Sequence, residues 1–493
     1  MNLNGVKLNL RAFLIIVFGV LFTFTFIYEI IPVNNNMGWD GVTFNDIAKH
    51  GIDDIQNKSM RWYYIFRIFP FIVYDIVGFP ELDLYILWIS RILNFVFITF
   101  SVVFYFRICK LLNAENMVAN LVFVLLFFSF PILKFVNYYP MLTDHISFFL
   151  SLAGIYFTLS KNKFLIIFTI IFSLFTFPSL AFMLISINVI QQHNGIKLFK
   201  VTKSKYIYLI IAFKIVLISL GIYFYNLMAF GNQEPVTNGA NLNESLLEIS
   251  TILLVLYFLY ITFSLLRTVL TNGEITFKIN VLYFTLSILM FLCIWYVFNS
   301  FQPMTRTGIS SLGGIAYLAL TMPLNFLIYH TFYFGVIVIF LLAKMKDIFA
   351  SALKLGTGFF LATIIIYFFM IQNESRMLTN LIPFLAIPLL KAFENVKLSK
   401  GTIYLIFIVC IIQSRFYIKI NNSSNFWKLM EDPSEYLKFP VQRYFMNFGP
   451  WVSEQMYWIQ LILFLLLIGI YFLFYKMSNN LKSKKLIYDS STF

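Results

Sequence analysis

Between residues 11 and 475 the chain repeats apolar runs separated by short polar segments. Each run has about 20 residues, the length a helix needs to cross a hydrocarbon core of ~30 Å. Backbone placed in lipid must satisfy its own N–H and C=O groups, which leaves helices or closed barrels. The runs are continuous instead of alternating, so helices are predicted. Composition agrees: 60% of residues are hydrophobic, 20% aromatic and 12% charged, where soluble domains carry about 25% charged residues. The chain reads as an all-α polytopic membrane protein with about 12–14 transmembrane helices.

The expected spans are 12–32, 82–106, 117–137, 143–160, 164–177, 179–191, 206–230, 246–267, 279–299, 325–343, 356–372, 377–393, 402–418 and 459–475. The first apolar run, 13–31, is too long for a signal-peptide core and no small-residue cleavage site follows it, so it reads as a retained span. The pair around Pro178 is short; a shallow hairpin there, in place of one helix broken at proline, puts the lysines of 197–205 on the inner side. With the N-terminus inside, the basic segments 107–110, 161–163, 197–205, 344–354, 391–400 and 476–485 share that side, as the positive-inside rule requires. The net charge of +14 is therefore topological, and its scatter along loops argues against nucleic acid. Cys109, Cys293 and Cys410 have neither disulfide nor metal spacing and read as packing residues.

Four external segments remain: 33–81, 231–245, 300–324 and 419–458. In the first, 40–51 has helical spacing with Phe44, Ile47 and Ala48 on one face, and 62–76 reads as an aromatic helix lying in the interface. The last carries Trp427, Trp451 and Trp458 among Glu431, Asp432, Glu435, Lys438 and Arg443, which suits either sugar stacking or an interfacial aromatic belt.

Ionisable residues collect at the outer ends of the spans: Asp40 and Asp46, Asp144 with His145, Arg306, His330, and Glu374 with Arg376. A carboxylate there can take a proton from a hydroxyl, and arginine offers bidentate hydrogen bonds to phosphate. Each has a plainer role as well. Asp40 and Asp144 can cap the helices they precede, Arg376 can snorkel to head groups, and head groups also explain Arg61 and Arg67. Asp46 lies six residues past Asp40, about 600° of helical rotation, and need not share its face. His145 and His330 lack ligand spacing and suit hydrogen-bonding roles. Arg91, inside a span, is expected to pair with Asp75, Glu81 or Asp83.

One arrangement resembles the GT-C superfamily of polytopic glycosyltransferases. After the first span, Gly38-Trp39 leads into Asp40-Gly-Val-Thr-Phe44-Asn-Asp46-Ile-Ala48, similar to the acidic motif that opens the first external loop in that family. Thr143-Asp144-His145 resembles the second external acidic site, and Glu374-Ser375-Arg376 before Leu381-Ile382-Pro383 resembles an acid-x-Arg element heading a late span. Two features depart from the family: Gly41 stands where many members carry a second acid, and no large soluble C-terminal domain follows.

The resemblance implies a GT-C-like bundle with interfacial helices in the first external loop. It implies a catalytic module over 1–393 that includes loop 33–81, and a C-terminal transmembrane region over 394–493 with loop 419–458. It further implies inverting transfer of a sugar, glucose as the best guess, from a polyprenyl-phosphate donor to an envelope glycan such as O-antigen, on the periplasmic side of a bacterial inner membrane. Asp40 and Asp144 take the catalytic positions. Arg376, Arg306 and Arg61 bind the donor phosphate, and Asp46, His145, Glu374 and His330 serve the acceptor or support the site. No cofactor is implied; a divalent metal is compatible with the reading and not required by it. An O-antigen polymerase or ligase, and a flippase for lipid-linked glycan, are the competing readings.

Overall fold

A computed structural model describes residues 9–31, 34–78, 83–191, 196–201, 244–272, 275–302, 315, 318–418 and 454–490. The expected span 206–230 and most of the external segments 231–245, 300–324 and 419–458 lie outside these residues.

In chain order, α1 (Leu10–Phe26) is followed by α2 (Asp40–Gln56), α3 (Trp62–Ile65) and α4 (Phe71–Val77), which together fill the first external segment. Next come α5 (Asp83–Leu111), α6 (Asn116–Phe127), a π-helical turn (Pro131–Phe135) running into α7 (Val136–Tyr138), then α8 (Asp144–Leu159), α9 (Lys163–Leu174) and α10 (Pro178–Val189). The chain continues through β1 (Ile190–Gln191) and β2 (Ile196–Val201) to α11 (Leu247–Asn272), β3 (Ile275–Ile279) and α12 (Val281–Ser300). It ends with α13 (Asn325–Phe334), α14 (Ile337–Ala343), α15 (Met345–Leu355), α16 (Thr357–Phe369), a 3-10 turn (Ser375–Leu378), α17 (Ile382–Ala392), α18 (Lys400–Ser414) and α19 (Glu454–Ser490).

Among the described residues four helices are long and apolar enough to cross a membrane: Asp83–Leu111, Leu247–Thr271, Val281–Ser300 and Met456–Ser478. A fifth crossing results if the pair Asn116–Phe127 and Pro131–Tyr138, bent by 56°, counts as one span. These make the chain a multi-pass membrane protein. The remaining expected spans within the described residues are apolar helices of 17 residues or fewer. At 1.5 Å of rise per residue, twelve residues cover only about 18 Å. Two of the expected spans, 117–137 and 325–343, are divided by breaks in the chain. Gly335, at φ +90°, parts α13 from α14, and Pro131, which cannot donate into the helical ladder, opens the π-turn after α6.

Helix α5 has an inside-out pattern. Ser90, Asn94, Ile98, Ser101 and Tyr105 lie on its buried face, three or four residues apart, with Arg91 beside them, while Tyr85, Trp88, Ile92 and Phe100 are exposed. Apolar side chains are thus left where lipid would cover them, while on the inner side Asn94 donates to the Pro140 carbonyl and Tyr105 to the Ala119 carbonyl. Arg91 takes a partner other than the expected acid: Nη2 donates to the Phe26 carbonyl and the guanidinium lies over the Phe26 and Trp88 rings. Asp83 instead accepts from Lys49 Nζ at 2.5 Å and Asn45 Nδ2 at 2.8 Å, and Asp75 accepts from the Ile52 amide.

Two expectations need correction. The stretch 62–76 is two short helices, because Pro70 lacks an amide hydrogen and biases the residue before it away from helix. The chain is also not wholly α-helical. Strands β1 and β2 flank β3, both antiparallel to it, in a three-stranded sheet that includes the basic stretch from Lys197. Polar and apolar residues alternate in Ile275-Thr-Phe-Lys-Ile279, a period-2 signal that the neighbouring apolar runs conceal. The pair at Pro178 is a hairpin, α9 and α10 packing on each other.

Candidate active site

Asp40 and Asp144 each begin a helix without capping it. The residues preceding α2 and α8 are Trp39 and Thr143, and neither helix end has a side-chain cap. Both carboxylates therefore sit where the positive end of a helix dipole favours negative charge. The turn before α2 explains how Asp40 gets there. Asn34, Asn35 and Asn36 have φ of 48°, 53° and 71°, and Gly38 has φ 71°, a left-handed region that Asn and Gly tolerate best. A Cβ on Gly38 would lie 2.3 Å from the Tyr139 ring. That close approach lets the Asp40 amide donate to the Tyr139 hydroxyl at 3.0 Å. Phe44, Ile47, Ala48 and Gly51 then bury one face of α2, as their spacing predicts, with Phe44 stacked on Phe71 at 4.7 Å between centroids.

Arg376 stands at the centre. Its Nη2 donates to Asp40 Oδ2 at 3.1 Å, its Nε to Glu374 Oε1 at 2.5 Å, and its Nη1 lies 3.9 Å from Asp144 Oδ2. Burial alone would lower the guanidinium pKa, but Glu374, then Asp40 and Asp144, outweigh it and hold it well above the usual value. Tyr63 and Tyr139 lie against the same charges, and burial raises both phenols, so they stay neutral and can donate hydrogen bonds. Acids from three distant segments thus converge on one arginine, as their shared position at outer ends suggested.

The other predicted residues fall in different places. His145 is buried and its Nε2 faces the Tyr139 carbonyl at 3.3 Å, so it braces the 139–144 loop. His330 is buried with both nitrogens occupied: Nε2 donates to the Met370 carbonyl at 2.8 Å, which leaves Nδ1 to accept from Ser375 Oγ at 2.9 Å. It fixes the turn that presents Arg376 and has no ring nitrogen left for an acceptor. Asp46 is exposed on α2, away from Arg376. Arg61 is exposed and its backbone is bridged to Gln302, so the structure does not bring its side chain to the Arg376 group. Arg306 lies outside the described residues, as do the tryptophans and charges of 419–453; Trp458 is on α19, where its Nε1 donates to Glu454 at 3.4 Å.

Gly41, the departure from the acidic motif, is buried against Met141, and a Cβ there would meet Met141 Cβ at 2.8 Å. A second acid has no room. Among the described residues no three His, Cys, Asp or Glu side chains converge as metal ligands.

Sequence reasoning undervalued Arg67. It is 4% exposed, its guanidinium lies 4.7 Å from the Tyr63 ring centroid and 4.5 Å from that of Phe177, and its charge reaches Asp144. Three residues before Pro70, in an aromatic stretch, it reads equally well as a head-group contact; its burial between Tyr63 and Phe177 distinguishes it from the exposed Arg61.

No protein-family model, curated protein or solved structure matches this chain.

Proposed function

We propose that this protein is a glycosyltransferase that moves a sugar from a polyprenyl-phosphate donor to a glycan hydroxyl at the outer face of a bacterial inner membrane. The observation that supports it is the convergence of Asp40, Asp144 and Glu374 on Arg376, at helix ends of a multi-pass membrane protein. Asp40 is the base. Its side chain is 26% exposed, so an incoming hydroxyl can reach it, while its hydrogen bond from Arg376 holds it in place. The acceptor oxygen attacks the anomeric carbon as its proton passes to Asp40. The bond from that carbon to the phosphate oxygen breaks on the opposite face, and polyprenyl phosphate leaves with the electron pair, giving inversion. Asp144, 3.9 Å from Arg376 Nη1, adds a second charge beside the arginine, and the fixed positive charges stabilise the leaving phosphate without reorganising. An envelope glycan is the acceptor class and glucose the first sugar to try.

The test is transfer in reconstituted liposomes from a radiolabelled polyprenyl-phosphate sugar to extracted envelope glycan, wild type against Asp40→Asn. Loss of transfer in a folded variant supports the reading. No transfer by wild type from any such donor would sink it, and assays of glycan polymerisation, ligation and lipid-linked glycan flipping would then decide among the rivals.

A further inference from the structure

Arg67 and Asp144 are both buried, at 4% and 1% exposure, and feel each other's charge, yet they do not form an ion pair. Arg67 Nη1 has no hydrogen-bond partner, and Nη2 reaches only Met377 Sδ at 3.6 Å. Neither oxygen of Asp144 accepts a hydrogen bond from another residue, and the neighbouring Thr143 hydroxyl is also without a partner. Buried polar groups are nearly always bonded, so a donor and an acceptor left open on two sides of one site call for a ligand that answers both.

Charge specifies its sign. Asp40, Glu374 and Asp144 lie 3.1, 2.5 and 3.9 Å from Arg376, whereas Arg67, buried beside them, makes no ion pair among the described residues. Arg67 is thus the buried cation left without a partnering acid, which an anionic group would answer. Stacking on Tyr63 and Phe177 holds the Arg67 plane in place, and a guanidinium so held suits a phosphoryl group, whose oxygens take paired N–H donors. Arg376, already committed to three carboxylates, suits that task less well. We infer that Arg67 is the seat of a phosphodiester monoanion, with Asp144 facing the hydroxyl-bearing side of the same ligand. The identity of that ligand as a sugar donor rests on the transferase reading; the anion seat does not.

The probe is citronellyl phosphoryl-glucose, with inorganic phosphate and citronellol as controls, titrated into the purified full-length protein in detergent and followed by tryptophan fluorescence. Wild type should bind the diester and not citronellol. Arg67→Gln should weaken binding by tenfold or more, Arg67→Lys by a smaller factor, and Arg61→Gln hardly at all, with melting temperatures recorded for each. Equal affinity in wild type and a folded Arg67→Gln overturns the seat. If Arg67→Gln does not fold, Arg67→Lys decides: unchanged affinity for the diester overturns it. Inorganic phosphate binding as tightly as the diester, with the same loss in Arg67→Gln, would overturn the diester assignment in favour of free phosphate. Diester binding that needs Arg67 in a protein that transfers no sugar would uphold the seat and refute the transferase.

Discussion

Arg376 Nη2 donates to Asp40 Oδ2 at 3.1 Å, tying the first residue of α2 to the turn that precedes α17. The bond fixes where the carboxylate points and gives it a permanent counter-ion. If Asp40 is the base, Asp40→Asn keeps the shape, loses proton acceptance, and lowers the transfer rate by about 10²–10⁴. Initial rates in liposomes measure this, and a variant that retains more than half the wild-type rate moves the base to Asp144.

Removing Arg376 itself is a stability experiment. Arg376→Met leaves Asp40, Asp144 and Glu374 facing one another without a cation, at a cost of up to about 3–5 kcal/mol. Adding Asp40→Asn and Glu374→Gln should recover part of that loss. A melting series in detergent that showed three strictly additive losses would mean the four groups do not act as a unit.

The turn before α2 offers a more local test. Gly38→Ala places a methyl group against the Tyr139 ring in a left-handed conformation, which costs about 1–3 kcal/mol for the backbone alone. Gly41→Asp, which would restore the acidic pair of the resembling family, should also destabilise, since Met141 fills that space. Enhanced, metal-stimulated transfer by a stable Gly41→Asp protein would contradict the packing argument.

His330 joins Met370 and Ser375 ahead of Arg376. His330→Ala strands the Met370 carbonyl and removes one partner of the Ser375 hydroxyl, costing about 1–3 kcal/mol for the buried group left unpaired. His330→Gln should recover part of the stability. Transfer by the two variants should follow their melting points, whereas full stability with no activity would place His330 in the chemistry.

Lys134 Nζ and Glu29 Oε1 meet at 2.8 Å, both side chains nearly inaccessible, and Lys134 also reaches the Ile418 carbonyl. Lys134→Met alone should lose roughly 3–5 kcal/mol, as should Glu29→Gln to a lesser degree, because each strands a buried charge or hydrogen bond. The double variant should be more stable than Lys134→Met. Thermal unfolding of the three proteins tests the ordering.

Much of this protein follows from local chemistry. Apolar runs dictate helices, because no other local structure satisfies backbone in lipid. The spacing of Phe44, Ile47 and Ala48 identifies the buried face of α2, and the position of Asp40, Asp144, Glu374 and Arg376 next to apolar runs marks them as candidates to meet. Other features depended on contacts that sequence spacing does not encode. Which arginine stays bonded to acids and which is left open was settled by packing: Glu374, Asp40 and Asp144 close on Arg376, whereas Phe177 and Tyr63 enclose Arg67 with no carboxylate in bonding range. The division of the expected spans 117–137 and 325–343 depended on Pro131 and Gly335, and the small sheet on strands paired across 202–274, a separation over which local pattern carries no information. Sequence determined which segments are helical and which residues are ionisable, since those are properties of a residue and its near neighbours; tertiary structure alone decided which charges meet, since that depends on residues hundreds of positions apart sharing one buried site.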